Sequence, residues 1–165
     1  MTELFASLRP DTMTWLDVAL RVGMAALLPF LIGLERFLRR KPIDFRPFVI
    51  ISLAACGLLI GSIELLQSQS DKQAQIDPTR VIEGVITGIG FIGAGAMFRR
   101  GDFVQGAGSA AAIWCAGAIG VICGMGEVWL AAIVAGGVLL LLIASAPFTE
   151  RWDPDGGEAT GEQSD

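Results

Sequence analysis

Five apolar stretches dominate the sequence, at residues 13–34, 47–66, 81–98, 103–123 and 128–148, and the charged residues gather in the short segments between them. Between 103 and 148 the sole charge is Glu127. Helices of soluble cores typically run about 8–20 residues. A longer run therefore reads as two membrane spans of about 20 residues each, broken at Gly124-Met125-Gly126-Glu127. The pattern predicts an all-α fold, a polytopic transmembrane helix bundle of about five spans. Residues 1–12 form an extracytoplasmic N-terminus in this reading, and 13–148 form the transmembrane domain. Residues 149–165 are rich in Asp, Glu and Gly without an apolar period, as in a disordered cytoplasmic tail. A polar loop at 67–80 carries the turn signal Asp77-Pro78.

Orientation follows from the Lys/Arg bias across the loops. Arg36, Arg39, Arg40, Lys41, Arg46, Arg99, Arg100 and Arg151 fall on one side, and Arg9, Lys72 and Arg80 on the other. The Arg-rich side is expected in the cytoplasm, with the N-terminus outside and the C-terminus inside. Trp15, Trp129 and Trp152 fall near expected interfaces, whereas Trp114 sits mid-span and is expected to pack against another helix.

Composition narrows the chemistry. The net charge is −5, but six of the seven charges after Phe148 are acids, so the acidity belongs partly to the tail. No basic domain suggests nucleic-acid binding. The chain has no His, which removes the commonest metal ligand and the usual proton carrier near neutrality. Cys56, Cys115 and Cys123 lie in apolar runs without zinc-type spacing and read as small packing residues. No enzyme activity and no cofactor are expected. The first residues are mixed in charge and no small-residue cleavage site follows the first run, so no cleavable signal peptide is expected.

Several polar residues lie inside the apolar runs, where such groups default to functional candidates. Asp17 and Arg21 share a helical face in the favourable acid-first order of an ion pair, and Arg21 can also snorkel outward. Span three reads Glu83-Gly84-Val85-Ile86-Thr87-Gly88-Ile89-Gly90-Phe91-Ile92-Gly93-Ala94-Gly95-Ala96 and includes a literal G-x-G-x-x-G. A dinucleotide site needs a strand before that motif and a soluble βαβ unit around it, and both are missing here. Two readings stay open. In one, Gly84 and Gly88 form a G-x-x-x-G packing face against the small residues of span four, giving a tight hairpin. In the other, the helix is unwound over 88–95, as broken membrane helices are at ion sites; Glu83 and Thr87 are then candidate oxygen ligands for a metal ion. A further polar stretch, Gly33-Leu34-Glu35-Arg36, precedes Arg39-Arg40-Lys41-Pro42 and Phe45-Arg46-Pro47. Glu35 there is either solvated with its neighbours or paired with Arg46 or Arg36 in a fixed cluster.

These stretches resemble the MgtC/SapB family of bacterial inner-membrane proteins. The resemblance rests on Gly33-Leu34-Glu35-Arg36, Lys41-Pro42, Arg46 and Asp77-Pro78-Thr79-Arg80. It is most specific at Gly88-Ile89-Gly90-Phe91-Ile92-Gly93-Ala94-Gly95, and it continues through Gly106, Ala110-Ala111, Ile113-Trp114 and Ala118-Ile119-Gly120. It marks Glu35, Arg36, Arg46, Asp77, Arg80, Gly88, Gly90, Gly93 and Gly95 as candidate functional positions. Departures limit what carries over. Arg46-Pro47-Phe48 stands where the family usually has Arg-Thr-His. Glu83 often corresponds to Gln, and Gly106-Ala107-Gly108-Ser109 replaces Gly-Leu-Thr-Thr. A ligand-sensing role through the soluble C-terminal domain of many members is not expected, because the chain ends in a short acidic tail.

The resemblance implies a multi-pass inner-membrane protein linked to growth at low magnesium, acid stress and virulence. Two functions remain open. One is regulation of other inner-membrane proteins, or self-association, through small-residue helix faces within the lipid bilayer. The other is transport of Mg²⁺ or another ion along a broken span three. The few acids near the spans (Asp17, Glu35, Glu64, Glu83 and Glu127) fit poorly with the octahedral oxygen set that Mg²⁺ demands.

Overall fold

Thr14 starts the first helix through a reciprocal pair of bonds. Its hydroxyl accepts from the Asp17 amide at 3.2 Å, and its own amide donates to the Asp17 carboxylate at 3.2 Å. Two of the N–H groups that a helix start leaves open are thereby satisfied. The computed structural model describes residues 13–39, 44–68, 77–100 and 103–149. Over these it forms α1 (Trp15–Leu38), α2 (Arg46–Ser68), α3 (Pro78–Gly95), β1 (Phe98–Arg100), β2 (Phe103–Gln105), α4 (Ala107–Met125) and α5 (Val128–Thr149). Residues 1–12, Arg40, Lys41 and Pro42, most of the 67–80 loop, Gly101, Asp102 and the tail after Thr149, with Trp152, lie outside the described residues.

The fold is an all-α bundle, and α1, α2, α4 and α5 are long and apolar enough to cross a membrane. Helix α3 is shorter, at 18 residues, or about 27 Å at 1.5 Å per residue. Arg80, Glu83 and five glycines between 84 and 95 leave it outside that set. Asp77 caps its start, accepting from the Thr79 amide at 2.9 Å and the Thr79 hydroxyl at 2.7 Å. Pro78 follows at the first helical position, where a missing N–H costs nothing.

Helix α4 is the hub. It touches all four other helices, and α1 also packs on α2 and α5 while α3 packs on α2. Ala116, Ile119 and Cys123 of α4 are fully buried, together with Ala25 and Ile32 of α1, Phe48 and Cys56 of α2 and Ala131 of α5. Helix α3 sits at the edge and buries only Ile89 and Gly93.

One open alternative is decided and two expectations are corrected. The segment at 88–95 is not unwound: α3 runs unbroken to Gly95, and among the described residues only Gly106 and Gly126 take positive φ. The link between α3 and α4 is not a plain loop but an antiparallel ribbon, pairing Phe98 with Gln105, Arg99 with Val104 and Arg100 with Phe103. Trp114 is not packed away; it is 44% exposed, in line with exposed Ala107 and Ala111 along one stripe of α4.

The tight glycine packing lies only in part where expected. A Cβ added at Gly84 or Gly88 would meet nothing within 4 Å. One added at Gly120 would come within 2.2 Å of the Ser52 carbonyl oxygen, and one at Gly124 within 2.9 Å of the Cys56 oxygen. The close approach of backbones thus joins α4 to α2, while α4 also closes on a side chain of α3: a Cβ at Gly117 would come within 2.1 Å of Ile89 Cδ1. Gly120 and Gly124 meet Ser52 and Cys56, small residues four apart on both helices, which is the spacing that lets membrane helices touch backbone to backbone. Of the α3 motif glycines only Gly93 faces α4, where an added Cβ would lie 3.4 Å from the Ala110 oxygen.

Candidate functional site

The charged residues of the described structure collect at the two ends of α4 and along the outer face of α3. At its C-terminal end α4 stops on Gly126, whose φ of 92° is costly for any residue with a Cβ. The Gly126 amide donates to the Cys123 oxygen at 2.9 Å and the Glu127 amide to the Ile122 oxygen at 3.2 Å, the paired closure common at helix ends. That leaves the Gly124 carbonyl without a backbone donor, and Arg21 Nη1 fills the place at 2.8 Å. A cation there also meets the negative end of the helix dipole. The expected Asp17–Arg21 ion pair is absent. Asp17 is committed to Thr14, through the Thr14 hydroxyl at 2.5 Å as well as the amide, and Arg21 turns inward instead of snorkelling.

At the N-terminal end of α4 lies the Gly33-Leu34-Glu35-Arg36 motif. A Cβ at Gly33 would meet the Phe45 Cα at 2.9 Å, so this glycine lets the start of α2 close on α1. The Glu35 side chain is only 10% exposed and pairs with Arg39, one turn later on the same helix. It pairs with neither Arg36, the next residue, whose side chain leaves the helix in another direction, nor Arg46, which is held by Asp44 at 2.9 Å. The second Glu35 oxygen and Arg36 Nε are buried without a hydrogen-bond partner. The Arg36 guanidinium lies over the first turn of α4, with a terminal nitrogen 2.8 Å from where a Gly108 Cβ would sit. Gly108 is thus the space that admits it.

Along α3, Arg80, Glu83, Thr87, Gly88 and Gly90 are all exposed, as is Gly95. Phe91 is 84% exposed. Neither Arg80 nor Glu83 pairs with another described side chain. Among the described residues no three acids, cysteines or histidines converge as a metal site, so Glu83 and Thr87 stand as lone oxygen donors on an open helix face. Asp77, outside the helix, has its carboxyl held below the usual carboxylate range by the Thr79 hydroxyl, then by the Thr79 amide, with Arg80 a smaller aid. Free Cys56 and Cys123 are buried in the packing.

The motif order along these helices has a counterpart: the profile of the MgtC family matches residues 22–151. The chain belongs to the MgtC family. Among curated relatives of this MgtC-family chain, it is 37% identical to an uncharacterized protein of Haemophilus influenzae, over 78% of this chain and 55% of that one. It is 36% identical to Protein SapB of Bacillus subtilis, over 67% of this chain and 48% of the relative. It is 38% identical to Protein MgtC of Brucella abortus, over 66% and 43%. The chain therefore spans about half the length of these relatives. No solved structure matches it. Of the MgtC-family candidate positions, Arg36 and Gly93 meet the first turns of α4, with Glu35 beside Arg36 on α1; Arg46 lies apart on the α1–α2 surface with Asp44, and Asp77 and Arg80 sit at the far end of α3. The sequence reading missed Ser52 and the pairing of Arg39 with Glu35; it set Gly108 and Gly120 against α3 rather than against Arg36 and α2, and read Gly124 only as part of a break between spans. The signal for Ser52, Gly120 and Gly124, small residues four apart in two apolar runs, was present.

Proposed function

We propose that this MgtC-family protein is a regulator of other inner-membrane proteins, which it binds through the outer face of α3. One observation carries the reading: Gly84 and Gly88, four residues apart, have open space in front of them beside exposed Glu83 and Thr87. Small residues favour close helix contact in lipid. Polar groups facing hydrocarbon are costly unless covered. A second transmembrane helix would use the first feature and relieve the second. Membership of a family named for MgtC supports a role in growth under magnesium limitation, and by the same link in acid stress and virulence. The Lys/Arg bias supports an inner-membrane orientation with the N-terminus outside and the C-terminus inside. The transport alternative loses its main support, because α3 is unbroken.

The test replaces Gly84 or Gly88 by Leu, which displaces no contact within the chain, and follows growth at low Mg²⁺ and site-specific crosslinking from Phe91. Loss of growth and of a heterologous crosslink, with normal protein levels, is expected. Wild-type growth in both variants overturns the reading, as does Mg²⁺ flux in liposomes that Glu83→Gln abolishes. A C-terminal reporter active only outside the cytoplasm would overturn the orientation.

A further inference from the structure

Between α1 and α2 runs an open groove of about 500 Å³, lined by Gly23, Ala26 and Phe30 on one side and by Val49 and Ile50 on the other, with Arg46 at one end. That volume falls in the range of small-molecule sites, about 300–1,000 Å³. The walls belong to two helices apolar and long enough to cross a membrane, so the groove opens on acyl chains. Phe30 and Phe45 meet edge to face at 5.5 Å where the groove nears Arg46, forming an apolar wall beside the arginine.

The polar end carries the argument to a ligand. The Arg46 side chain is 75% exposed and engages Asp44 through Nε. A guanidinium has five N–H donors, so four remain for an anion at the interface. Residues 35–46 carry Arg36, Arg39, Arg40, Lys41 and Arg46 against Glu35 and Asp44, an excess of three positive charges. Basic pockets between transmembrane helices suit anionic headgroups. An apolar trough ending at one exposed arginine matches a molecule with a long alkyl chain and one negative head.

We infer that the α1–α2 groove binds one anionic phospholipid, an acyl chain lying along Gly23 and Ala26 and the phosphate on Arg46. The site is independent of the α3 face. It also explains why Gly23 stands with nothing within 4 Å of a would-be Cβ, since a larger side chain would fill the trough.

The full chain in detergent is titrated with phosphatidylglycerol, with phosphatidylcholine of the same acyl chains, and with inorganic phosphate. Thermal unfolding and lipid retention in native mass spectrometry are the readouts. Phosphatidylglycerol is expected to be retained and to raise the melting temperature, and the other two are not. Arg46→Gln should weaken the phosphatidylglycerol effect about fivefold, the worth of one interfacial charge, and Arg46→Lys should restore most of it. Gly23→Leu should abolish retention without lowering the lipid-free melting temperature. Equal retention of both lipids overturns the inference, as does protection by phosphate alone. So does a dimer that Gly23→Leu dissociates regardless of lipid. If Gly23→Leu fails to fold, equal phosphatidylglycerol binding by Arg46→Gln and Arg46→Lys overturns it instead.

Discussion

Arg21 donates to the carbonyl oxygen of Gly124 across 103 residues of sequence. The bond joins the second turn of α1 to the last turn of α4, at a helix end where Gly126 and Glu127 take the Cys123 and Ile122 carbonyls. Hydrogen bonds from charged groups contribute about 1.5–3 kcal/mol. Arg21→Leu should therefore lower stability by about 2 kcal/mol, read as a drop in thermal unfolding temperature in detergent. Gly126→Ala should do similar harm, because it places a Cβ at positive φ, about 1–2 kcal/mol of strain, and 2.7 Å from the same guanidinium. A wild-type melting curve for Arg21→Leu would refute the cap.

The two glycine pairs should respond in opposite ways. Gly120→Ala drives a methyl group to 2.2 Å from the Ser52 oxygen. Overpacking of this kind costs about 1–3 kcal/mol. Gly84→Ala and Gly88→Ala meet open space and gain helix propensity, up to about 1 kcal/mol each. Parallel thermal melts decide it; equal losses at Gly84 and Gly120 would mean that α3 packs differently.

Removing Arg39 should hurt more than removing both members of its pair. Arg39→Ala leaves the Glu35 carboxylate buried with no cation, and breaking a buried pair from one side costs about 3–5 kcal/mol. Arg39 is one-third exposed, which puts the expectation at the low end. The double variant Glu35→Leu with Arg39→Leu should recover most of the loss. A double variant no more stable than Arg39→Ala would show that Glu35 has a partner beyond Arg39.

Acidification should loosen the start of α3. The Asp77 carboxyl is held below its usual range by Thr79, so its capping contribution is fully present above the unfolded value of about 3.9. That contribution is lost as pH falls through the lower folded value. Amide exchange at Thr79 and Arg80 should rise below about pH 4. It should be high at every pH in Asp77→Ala, and a wild-type profile flat to pH 2 would contradict the assignment.

Much of the architecture was legible because lipid is an exacting solvent. A spanning segment must hide its backbone in a helix and keep charges out of its middle, and both demands leave marks in a single sequence. The family stretches Gly33-Leu34-Glu35-Arg36 and Gly88-Ile89-Gly90-Phe91 were equally visible. The facing of helices was not. Lipid tails are as apolar as a core, so polarity does not tell the buried pair Gly120 and Gly124 from the open pair Gly84 and Gly88. Local electrostatics misled for another reason. Asp17 has an acceptable cation at Arg21, but Thr14 offers it three bonds at once. The backbone oxygen that Arg21 prefers belongs to no motif. Glu35 shows the converse: its partner Arg39 lay at the ordinary helical spacing, while attention to the motif favoured Arg36 and Arg46.

The placement of α4 at the hub has a consequence for biogenesis. Three of the four helices that surround it are synthesised before it exists, and they enter the bilayer without the surface they are shaped to meet. Arg21 waits longest. At about 5–20 residues per second, its acceptor leaves the ribosome some 5–20 s after it does. Until then α1 holds a charged side chain that has not met its acceptor, and the arrival of α4 is the step that supplies it.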